Sequence, residues 1–239
     1  MKHHPLNQVD TGHRAAGELA LLRQLHRAMV RRRDGLIAEA RGLQAQLETM
    51  QHELVEQARE LQASRQVRKE LAEVEFRATH DDLTGLPNRA GILDLLSGAQ
   101  IRAERKGTLV AVLIADLDRF KQVNDTYGHM VGDEVLRNAA RRLNDAVRSY
   151  DAVGRYGDDY FLIVLAGCES KLDAVAQAER LRWSVSMEPI HVMEWEIPIS
   201  VSIGGTTASS SCEIDSLIRE ADKALYRAKR AGGNRVDWS

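Results

Sequence analysis

The sequence predicts an α+β domain with a central mixed, mainly antiparallel sheet flanked by helices, preceded by a long α-helical coiled coil. Every Trp, Tyr and Phe lies at or after Phe76, whereas residues 1–75 consist largely of Leu, Ala, Gln, Glu and Arg. A heptad pattern fills the first region, and apolar runs alternate with helical patterns in the second. We therefore expect a disordered N-terminus at 1–15, a coiled-coil dimerisation helix at 16–78 and an α+β domain at 79–239.

Composition excludes several classes of protein. The chain has 239 residues and a formal charge of −2, which is too close to neutral for nucleic-acid binding by bulk charge. No apolar run reaches the ~18 to 20 residues that span a bilayer, and the first residues lack the apolar core of a secretory signal. Cys168 and Cys212 lie outside any disulfide or zinc spacing. These features predict a cytoplasmic protein without a membrane span.

One heptad register runs through the first region, with its apolar positions densest from Leu36 to Leu61. At 1.5 Å rise per residue the helix would be roughly 80 Å long. A small domain cannot cover that length, so a parallel homodimer is favoured over a helix that folds back on its own domain. Polar residues such as Gln57 and Ser64 interrupt the seam. They fit either an ordinary imperfect seam or a signalling stalk that switches register.

The second region alternates helices and strands. Residues 108–117 form an apolar run ending in acidic residues, which is typical of a buried central strand. Two short strands surround an acidic turn at 157–159. The periodicity predicts helices at 89–105, 119–126, 131–147, 170–186 and 213–231, and strands at 108–117, 151–156, 160–166, 190–195, 197–206 and 234–238.

Two pairs of carboxylates stand near the ends of predicted strands. Asp116 and Asp118 end the apolar run, and Asp158 and Asp159 occupy the hairpin turn. If the two strands are neighbours, these acids converge at one edge of the sheet, where a divalent cation with substrate phosphates would offset their repulsion. Strand ends and turns also favour Asp for local reasons, so the pattern by itself leaves both explanations open.

Five segments of the second region carry a recognisable pattern: THDDLTGLPNR, DLDRFKQVNDTYGHMVGDEVL, RSYDAVGRYGDDYF, SVSIGG and ADKALYRAKRAGGNRV. In order and spacing they resemble the GGDEF domain of bacterial diguanylate cyclases over residues 79–238. The resemblance implies a fold similar to the catalytic palm of nucleotide cyclases, and a reaction in which two GTP molecules condense to cyclic di-GMP across a dimer.

The resemblance assigns roles to individual residues. Asp116 and Asp159 match the metal-binding acids for Mg²⁺ or Mn²⁺, with the carbonyl of Leu117 as a further ligand. An amide and a carboxylate suit recognition of the guanine edge, and two cations suit the terminal phosphates of GTP. The matching residues are Asn124 and Asp133 for guanine, and Lys121 and Lys229 for phosphate.

The signature that gives the family its name is degenerate here: the chain reads Gly157, Asp158, Asp159, Tyr160, Phe161. Tyr160 stands where the pattern has a glutamate, so a carboxylate is missing. Asp158 stands where a glycine lets the backbone approach phosphate. A like charge about 4 to 5 Å from phosphate costs about 3 to 4 kcal/mol at an effective dielectric of about 20. A smaller departure is Gly233, where many members carry a phosphate-binding arginine.

A second motif of the family is intact. Arg148 and Asp151 form the RxxD pattern that resembles the inhibitory product site, at the required offset from Gly157. Arginine can donate two hydrogen bonds to guanine O6 and N7, and aspartate can accept from guanine N–H groups.

Three hypotheses follow. The first is a homodimer that has lost most cyclase activity and binds cyclic di-GMP as a receptor. The second is an active diguanylate cyclase with an unusual active-site turn. The third is a dimeric scaffold that binds no nucleotide. Any protein partner is unidentified from sequence.

Overall fold

The structure is a computed structural model that describes the backbone of residues 9–208 and 212–239, with side chains described from residue 16 onward. Residues 1–8 of the expected disordered N-terminus lie outside the described residues. The remainder of that segment is helical, because α1 begins at Val9 rather than at residue 16. The chain divides into two compact units between Glu70 and Leu71, within α1 and earlier than the expected boundary after residue 78.

The elements follow one another in an order close to the prediction. They are α1 (Val9–Thr79), α2 (Arg89–Lys106), β1 (Leu109–Leu117), α3 (Phe120–Tyr127), α4 (His129–Ala146), β2 (Ala152–Arg155), β3 (Tyr160–Cys168), α5 (Lys171–Ser186), β4 (Ile190–Val192), β5 (Trp195–Ile197), β6 (Val201–Ala208), α6 (Ile214–Arg230) and β7 (Val236–Trp238).

Within the described residues, the first unit is the part of α1 that ends at Glu70. Its seam leucines are exposed in the single chain, for example Leu36 at 59%, Leu43 at 61% and Leu54 at 62%. A row of half-exposed leucines on one helix has no internal core to enter, so the unit has the surface that a coiled-coil partner would bury. Among the helices of the described residues, none is long and apolar enough to cross a membrane.

The second unit is built on a five-stranded sheet of order β2-β3-β1-β6-β7. The pairs β2–β3, β3–β1 and β1–β6 are antiparallel, and β6–β7 is parallel. The predicted mixed, mainly antiparallel sheet is therefore confirmed. β1 is central, with buried side chains on both faces, which explains its unbroken apolar sequence.

Helices cover both faces of this sheet. Ala111, Leu113 and Ala115 of β1 pack with α4 and α5 in one core cluster. The alternate residues Val110, Val112 and Ile114 pack with α2 and α6 in the other. The period of two along the strand thus divides its side chains between two helical layers.

The predicted bounds of the strands at 190–195 and 197–206 were wrong. In place of one strand at 190–195, β4 and β5 form a two-stranded hairpin separate from the main sheet. Met193 turns this hairpin with a positive φ of 52°. Residues 198–200 are outside any strand, and β6 begins at Val201. Pro198 and a turn geometry with positive φ interrupt what the apolar pattern reads as continuous strand.

Candidate active site and product-binding surface

The acidic end of β1 lies between two neighbouring strands. Asp116 is opposite Tyr160 of β3 and opposite Ser202 of β6. The backbone N–H of Leu117 bonds to the carbonyl of Asp159, at 3.3 Å, so the hairpin turn reaches the end of β1. The expected convergence of the two acidic segments at one sheet edge is therefore present, because β1 and β3 are adjacent.

Asp118 is fixed by hydrogen bonds from neighbouring segments. Its carboxylate accepts from the hydroxyls of Ser200 and Ser202, both at 2.7 Å, and from the backbone N–H of Asn234 at 2.9 Å. Burial raises the pKa of Asp118, but the hydroxyls, this N–H and Lys229 together hold the pKa below its ordinary value. Asp118 is thus an ionised structural acid that joins β1, β6 and the segment after α6.

Asp116 has a different environment. Burial raises its pKa above the ordinary value, Lys229 opposes that effect, and the negative charges of Asp159 and Asp118 add to it. The carboxylate of Asp116 therefore experiences the field of two other acids at the same edge.

Lys229, on the last turn of α6, contacts oxygens of Asp116, Leu117 and Asp118. Its Nζ donates to Asp116 Oδ1 at 2.9 Å and to the carbonyl of Leu117 at 3.3 Å, and lies 3.0 Å from Asp118 Oδ1. The two oxygens assigned to the metal, from Asp116 and Leu117, thus converge on one cation. Hard oxygen donors arranged in this way suit Mg²⁺ or Mn²⁺, so these residues fit the metal of the family. In the described residues, however, no cluster of three or more His, Cys, Asp or Glu side chains forms a complete metal site.

Tyr160 makes the main backbone and side-chain contacts of the signature turn. The backbone N–H groups of Tyr156 and Gly157 both bond to the carbonyl of Tyr160, which closes the turn. The ring of Tyr160 lies directly over Gly157, where an added Cβ would collide with it. It also packs beside Tyr156, with ring centroids 6.0 Å apart. An aromatic ring therefore occupies space next to the turn where the family pattern has a carboxylate.

Asp158 is exposed at the tip of the turn. Solvent screening therefore reduces its repulsion of a phosphate below the value expected from the sequence. Phe161, by contrast, is fully buried in the core. The turn thus has a fixed base and an exposed acidic tip.

Sequence reasoning missed a residue pair that holds the turn. The guanidinium of Arg155 donates to both carboxylate oxygens of Asp81 at 3.1 Å, and to the carbonyls of Gly157 and Asp158 at 3.3 and 2.8 Å. Asp81 also accepts from the N–H and hydroxyl of Thr84. The only available signal was that both residues fall inside the matching segments; their contact depends on the tertiary fold.

The guanine-reading candidates lie on α3 and α4. The side chain of Asn124 packs against Gly132, where any Cβ would collide with the amide. Gly132 thus allows α3 and α4 to approach each other closely. Asp133 is the next residue of α4 after Gly132. Lys121 is exposed on α3. Phe120 is buried, and Gly128 turns the chain between the two helices with a φ of 85°.

The backbone conformation at residue 233 explains why a glycine stands there. Its φ is +76°, and an added Cβ would lie 3.0 Å from Asp118 Oδ1. An arginine in this conformation would be strained, so the segment after α6 follows a path suited to glycine.

A cleft of about 820 Å³ opens beside Gly233, and its lining includes Lys229, Gly233, Asp118 and Arg119. Arg119, with a φ of 57°, is a basic residue of this cleft that sequence reasoning missed.

The RxxD residues lie at the opposite end of β3. Asp151 accepts hydrogen bonds from the N–H of Arg148 at 3.0 Å and from the N–H of Ala166 at 2.9 Å. Arg148 is exposed and donates to the hydroxyl of Tyr150 at 2.9 Å. Each carboxylate oxygen can accept a second hydrogen bond, so Asp151 is fixed without being saturated.

A basic pocket of about 370 Å³ adjoins this motif, and sequence reasoning did not identify it. Its lining includes Tyr150 together with Arg102, Lys106 and Thr108. The hydroxyl of Thr108 is buried and has no hydrogen-bond partner within the described part of the chain. Arg102 and Lys106 thus place two cations beside the RxxD motif, which suits an anionic ligand.

Paired acids and a lysine at the end of a central strand are the kinds of group that phosphoryl transfer on a metal-bound nucleotide uses. The family model described as diguanylate cyclase, GGDEF domain, matches residues 78–235. The chain therefore belongs to the GGDEF-domain family.

Curated relatives and solved structures agree with this assignment. The chain is 42% identical over 158 residues to "Diguanylate cyclase DosC" of Escherichia coli K12, covering 66% of this chain and 34% of that protein. It is 39% identical over 162 residues to "Response regulator PleD" of Caulobacter vibrioides, covering 66% and 36%. The chain thus spans about a third of the length of these curated relatives.

Two solved structures match more of the chain than its GGDEF domain. The coiled coil and GGDEF domain of DgcB from Caulobacter crescentus, in complex with cyclic di-GMP, has a TM-score of 0.70 at 31% identity, covering 76% of this chain and 96% of that one. Diguanylate cyclase SiaD from Pseudomonas aeruginosa, in complex with its activator SiaC, has a TM-score of 0.65 at 30% identity, covering 99% and 92%.

Proposed function

We propose that this protein is a cyclic di-GMP receptor of the GGDEF family, with little or no cyclase activity. One observation carries the proposal: the ring of Tyr160 fills the space beside Gly157 in the signature turn, whereas Arg148 and Asp151 remain on an accessible surface next to a basic pocket. The catalytic turn has changed, and the product-binding motif has not.

Loss of turnover is supported at the metal edge. Catalysis in this family would need a divalent cation to neutralise charge on the transferred phosphate. Asp116, Leu117 and Asp159 would hold that ion, but Tyr160 supplies no further carboxylate. The exposed carboxylate of Asp158 also adds negative charge where a triphosphate would approach the turn.

Ligand binding is supported at the other end of β3. The guanidinium of Arg148 can pair with guanine O6 and N7, and Asp151 can accept from guanine N–H groups. Arg102 and Lys106 line the adjoining pocket and offer positive charge to the two phosphates of the dinucleotide. Tyr150 lies within the RxxD motif and also lines the pocket, and its hydroxyl accepts a hydrogen bond from Arg148.

The receptor is proposed to be a cytoplasmic homodimer that pairs through the seam of α1. Support comes from the exposed leucines of that helix and from the similarity to a DgcB structure that contains a coiled coil. The similarity to SiaD, which was solved with an activator protein, supports a protein partner for this chain as well.

An active cyclase with an unusual turn is the second candidate. It is favoured by the close approach of α3 and α4 at Gly132, which brings the Asn124 amide against the helix that carries Asp133. Asp158 is free to turn outward because Arg155 holds only its carbonyl, at 2.8 Å. GTP and Mg²⁺ or Mn²⁺ would then be ligands of the sheet edge.

Calorimetry on the full chain with cyclic di-GMP and with GTP, together with product analysis, tests these candidates. Binding of cyclic di-GMP on the order of tens of micromolar or tighter, without turnover of GTP, supports the receptor. Arg148→Ala should weaken that binding at least several-fold, whereas Asp159→Ala should leave it nearly unchanged. Arg141→Ala removes an equally exposed arginine from α4 and serves as the matched control.

Other outcomes select the alternatives. Robust conversion of GTP to cyclic di-GMP by the wild-type chain would replace the receptor with the cyclase. Absence of binding of either nucleotide would leave the dimeric scaffold. Equal losses from Arg148→Ala and Asp159→Ala would also contradict a receptor site at the RxxD motif.

A further inference from the structure

Lys229 occupies an unusual position for a residue assigned to phosphate binding. Its Nζ contacts three oxygens, at 2.9 Å from Asp116 Oδ1, 3.0 Å from Asp118 Oδ1 and 3.3 Å from the carbonyl of Leu117. Two of these oxygens are the ones that the family resemblance gives to the metal. The ammonium therefore lies where the divalent cation would find its ligands.

The acids at this edge need a cation. Asp116 and Asp118 are both partly buried, with side-chain exposures of 28% and 12%. Asp159 lies close enough for its charge to act on Asp116. Without a cation these carboxylates would repel one another in a region where solvent screens them poorly. The contacts of Lys229 supply that positive charge in the metal-free protein.

A divalent ion and this ammonium compete for the same oxygens. Mg²⁺ binds oxygen at about 2.0 to 2.1 Å, so an ammonium that stayed on the same two ligands would lie close to a doubly charged cation and be repelled by it. Lysine has a flexible stem with a single compact charge, so it can leave without moving the backbone of α6. The cleft next to Lys229 is open and includes Gly232 and Gly233, which have no side chains to block the ammonium.

We propose that Lys229 is a placeholder cation for the metal site. In the metal-free protein it holds Asp116 and the Leu117 carbonyl in the arrangement that the metal requires. Entry of a divalent cation displaces the ammonium into the cleft, where it becomes available to an anionic ligand. Metal binding and exposure of a phosphate-binding cation are thereby linked through one side chain. This inference does not rest on the receptor proposal, because the RxxD surface takes no part in it.

The first test is Mn²⁺ binding to the full chain without nucleotide, measured by calorimetry or by the paramagnetic resonance of free Mn²⁺. Lys229→Met removes the competing charge, so we expect Mn²⁺ to bind about tenfold or more tightly than to the wild type. Lys223→Met removes an exposed lysine from the same helix, where it pairs with Glu220, and is the matched control. Equal or weaker Mn²⁺ binding in Lys229→Met than in this control would overturn the proposal.

The second test uses the wild-type chain and does not depend on folding of the variant. Lysine acetylation by a limiting amine-reactive reagent is followed by mass spectrometry with and without Mn²⁺. Acetylation of Lys229 should accelerate several-fold when Mn²⁺ is added, because the amine leaves its ion pairs, whereas that of Lys223 should not change. An unchanged rate at Lys229 under saturating Mn²⁺ would contradict displacement. Cyclic di-GMP binding is measured separately, so failure here is distinguishable from failure of the receptor proposal.

Discussion

The two ends of β3 differ in how closely the residues beside them follow the family pattern. At its first residue, Tyr160, the strand begins beside a turn in which a tyrosine ring and an exposed aspartate replace the expected glutamate and glycine. Near its other end, the N–H of Ala166 bonds to Asp151, at 2.9 Å, and the RxxD motif is complete. With about 3.3 Å per residue, Tyr160 and Ala166 are roughly 20 Å apart.

The comparison suggests a hypothesis: one strand carries two candidate sites that change independently. The interior of β3 is buried, and its residues from Tyr160 to Ala166 pair with β1 in continuous register, so we expect substitutions in the turn to leave the RxxD surface unaltered. Interactions at sites farther apart than about 10 Å with no shared partners usually add independently. The predictions below either break this independence or sharpen it.

The largest effect is expected at the turn. Wild-type protein should produce little or no cyclic di-GMP from GTP, and Asp158→Gly combined with Tyr160→Glu should raise turnover by about two orders of magnitude, because the double variant removes a charge that repels phosphate and restores the missing carboxylate. Chromatographic product analysis with Mg²⁺ or Mn²⁺ measures it. The same double variant with Asp116→Ala should be inactive. A silent double variant would point to further loss at Gly233.

The second effect concerns α1 and links the product surface to assembly. Light scattering of the full chain should give a dimer, and Leu47→Glu with Leu54→Glu in the seam should give a monomer. Cyclic di-GMP can bridge two protomers, so its apparent affinity should fall several-fold or more in the monomer. Gln44→Glu, at a polar position of the same helix, is the control. A wild-type chain that stays monomeric at tens of micromolar would contradict the coiled coil.

A third effect separates the two residues of the RxxD motif. Asp151→Ala removes the acceptor for two backbone N–H groups, so it should lower the free energy of unfolding by about 1 to 3 kcal/mol as well as weaken ligand binding. Arg148→Ala should weaken binding while leaving the urea-unfolding midpoint nearly unchanged, because Arg148 is exposed. If both variants destabilise equally, Arg148 has a structural role that its single bond to Tyr150 does not suggest.

The smallest effect is a pH dependence at the base of the turn. Burial raises the pKa of Asp81, but hydrogen bonds from Thr84 and Arg155 hold that pKa below its ordinary value. A lowered folded-state pKa stabilises the fold above the unfolded pKa of about 3.9, and this contribution is lost as the pH falls through the folded pKa. Asp81→Asn should therefore be less stable than wild type at pH 7, and urea unfolding should show the deficit shrinking below about pH 4. A deficit independent of pH would assign it to lost packing.

Local sequence determined most of the elements. The caps are examples: Asn88 and Ser170 begin α2 and α5 by accepting hydrogen bonds from Gly91 and Asp173 N–H groups, and Gly107 ends α2 with a φ of 65°. These signals act within one turn of helix, so they can be read without the fold. The hairpin of β4 and β5 was missed because a three-residue strand pair has too few residues for a clear period.

The motif residues were also identified from sequence, but their contacts were not. Lys229 contacts Asp116 from 113 positions away, and Arg155 contacts Asp81 from 74 positions away. Such contacts depend on which strands and helices become neighbours, which local periodicity does not specify.

The sequence by itself determined the family pattern, the apolar central strand, the heptad seam and the substituted turn, because each depends on residue type and short-range spacing. Only the tertiary structure decided that Tyr160 covers Gly157, that Gly233 has a positive φ beside Asp118, and that Lys229 contacts Asp116. The physical reason is that packing between distant segments sets side-chain position and backbone conformation there, and the nearest neighbours in the chain do not.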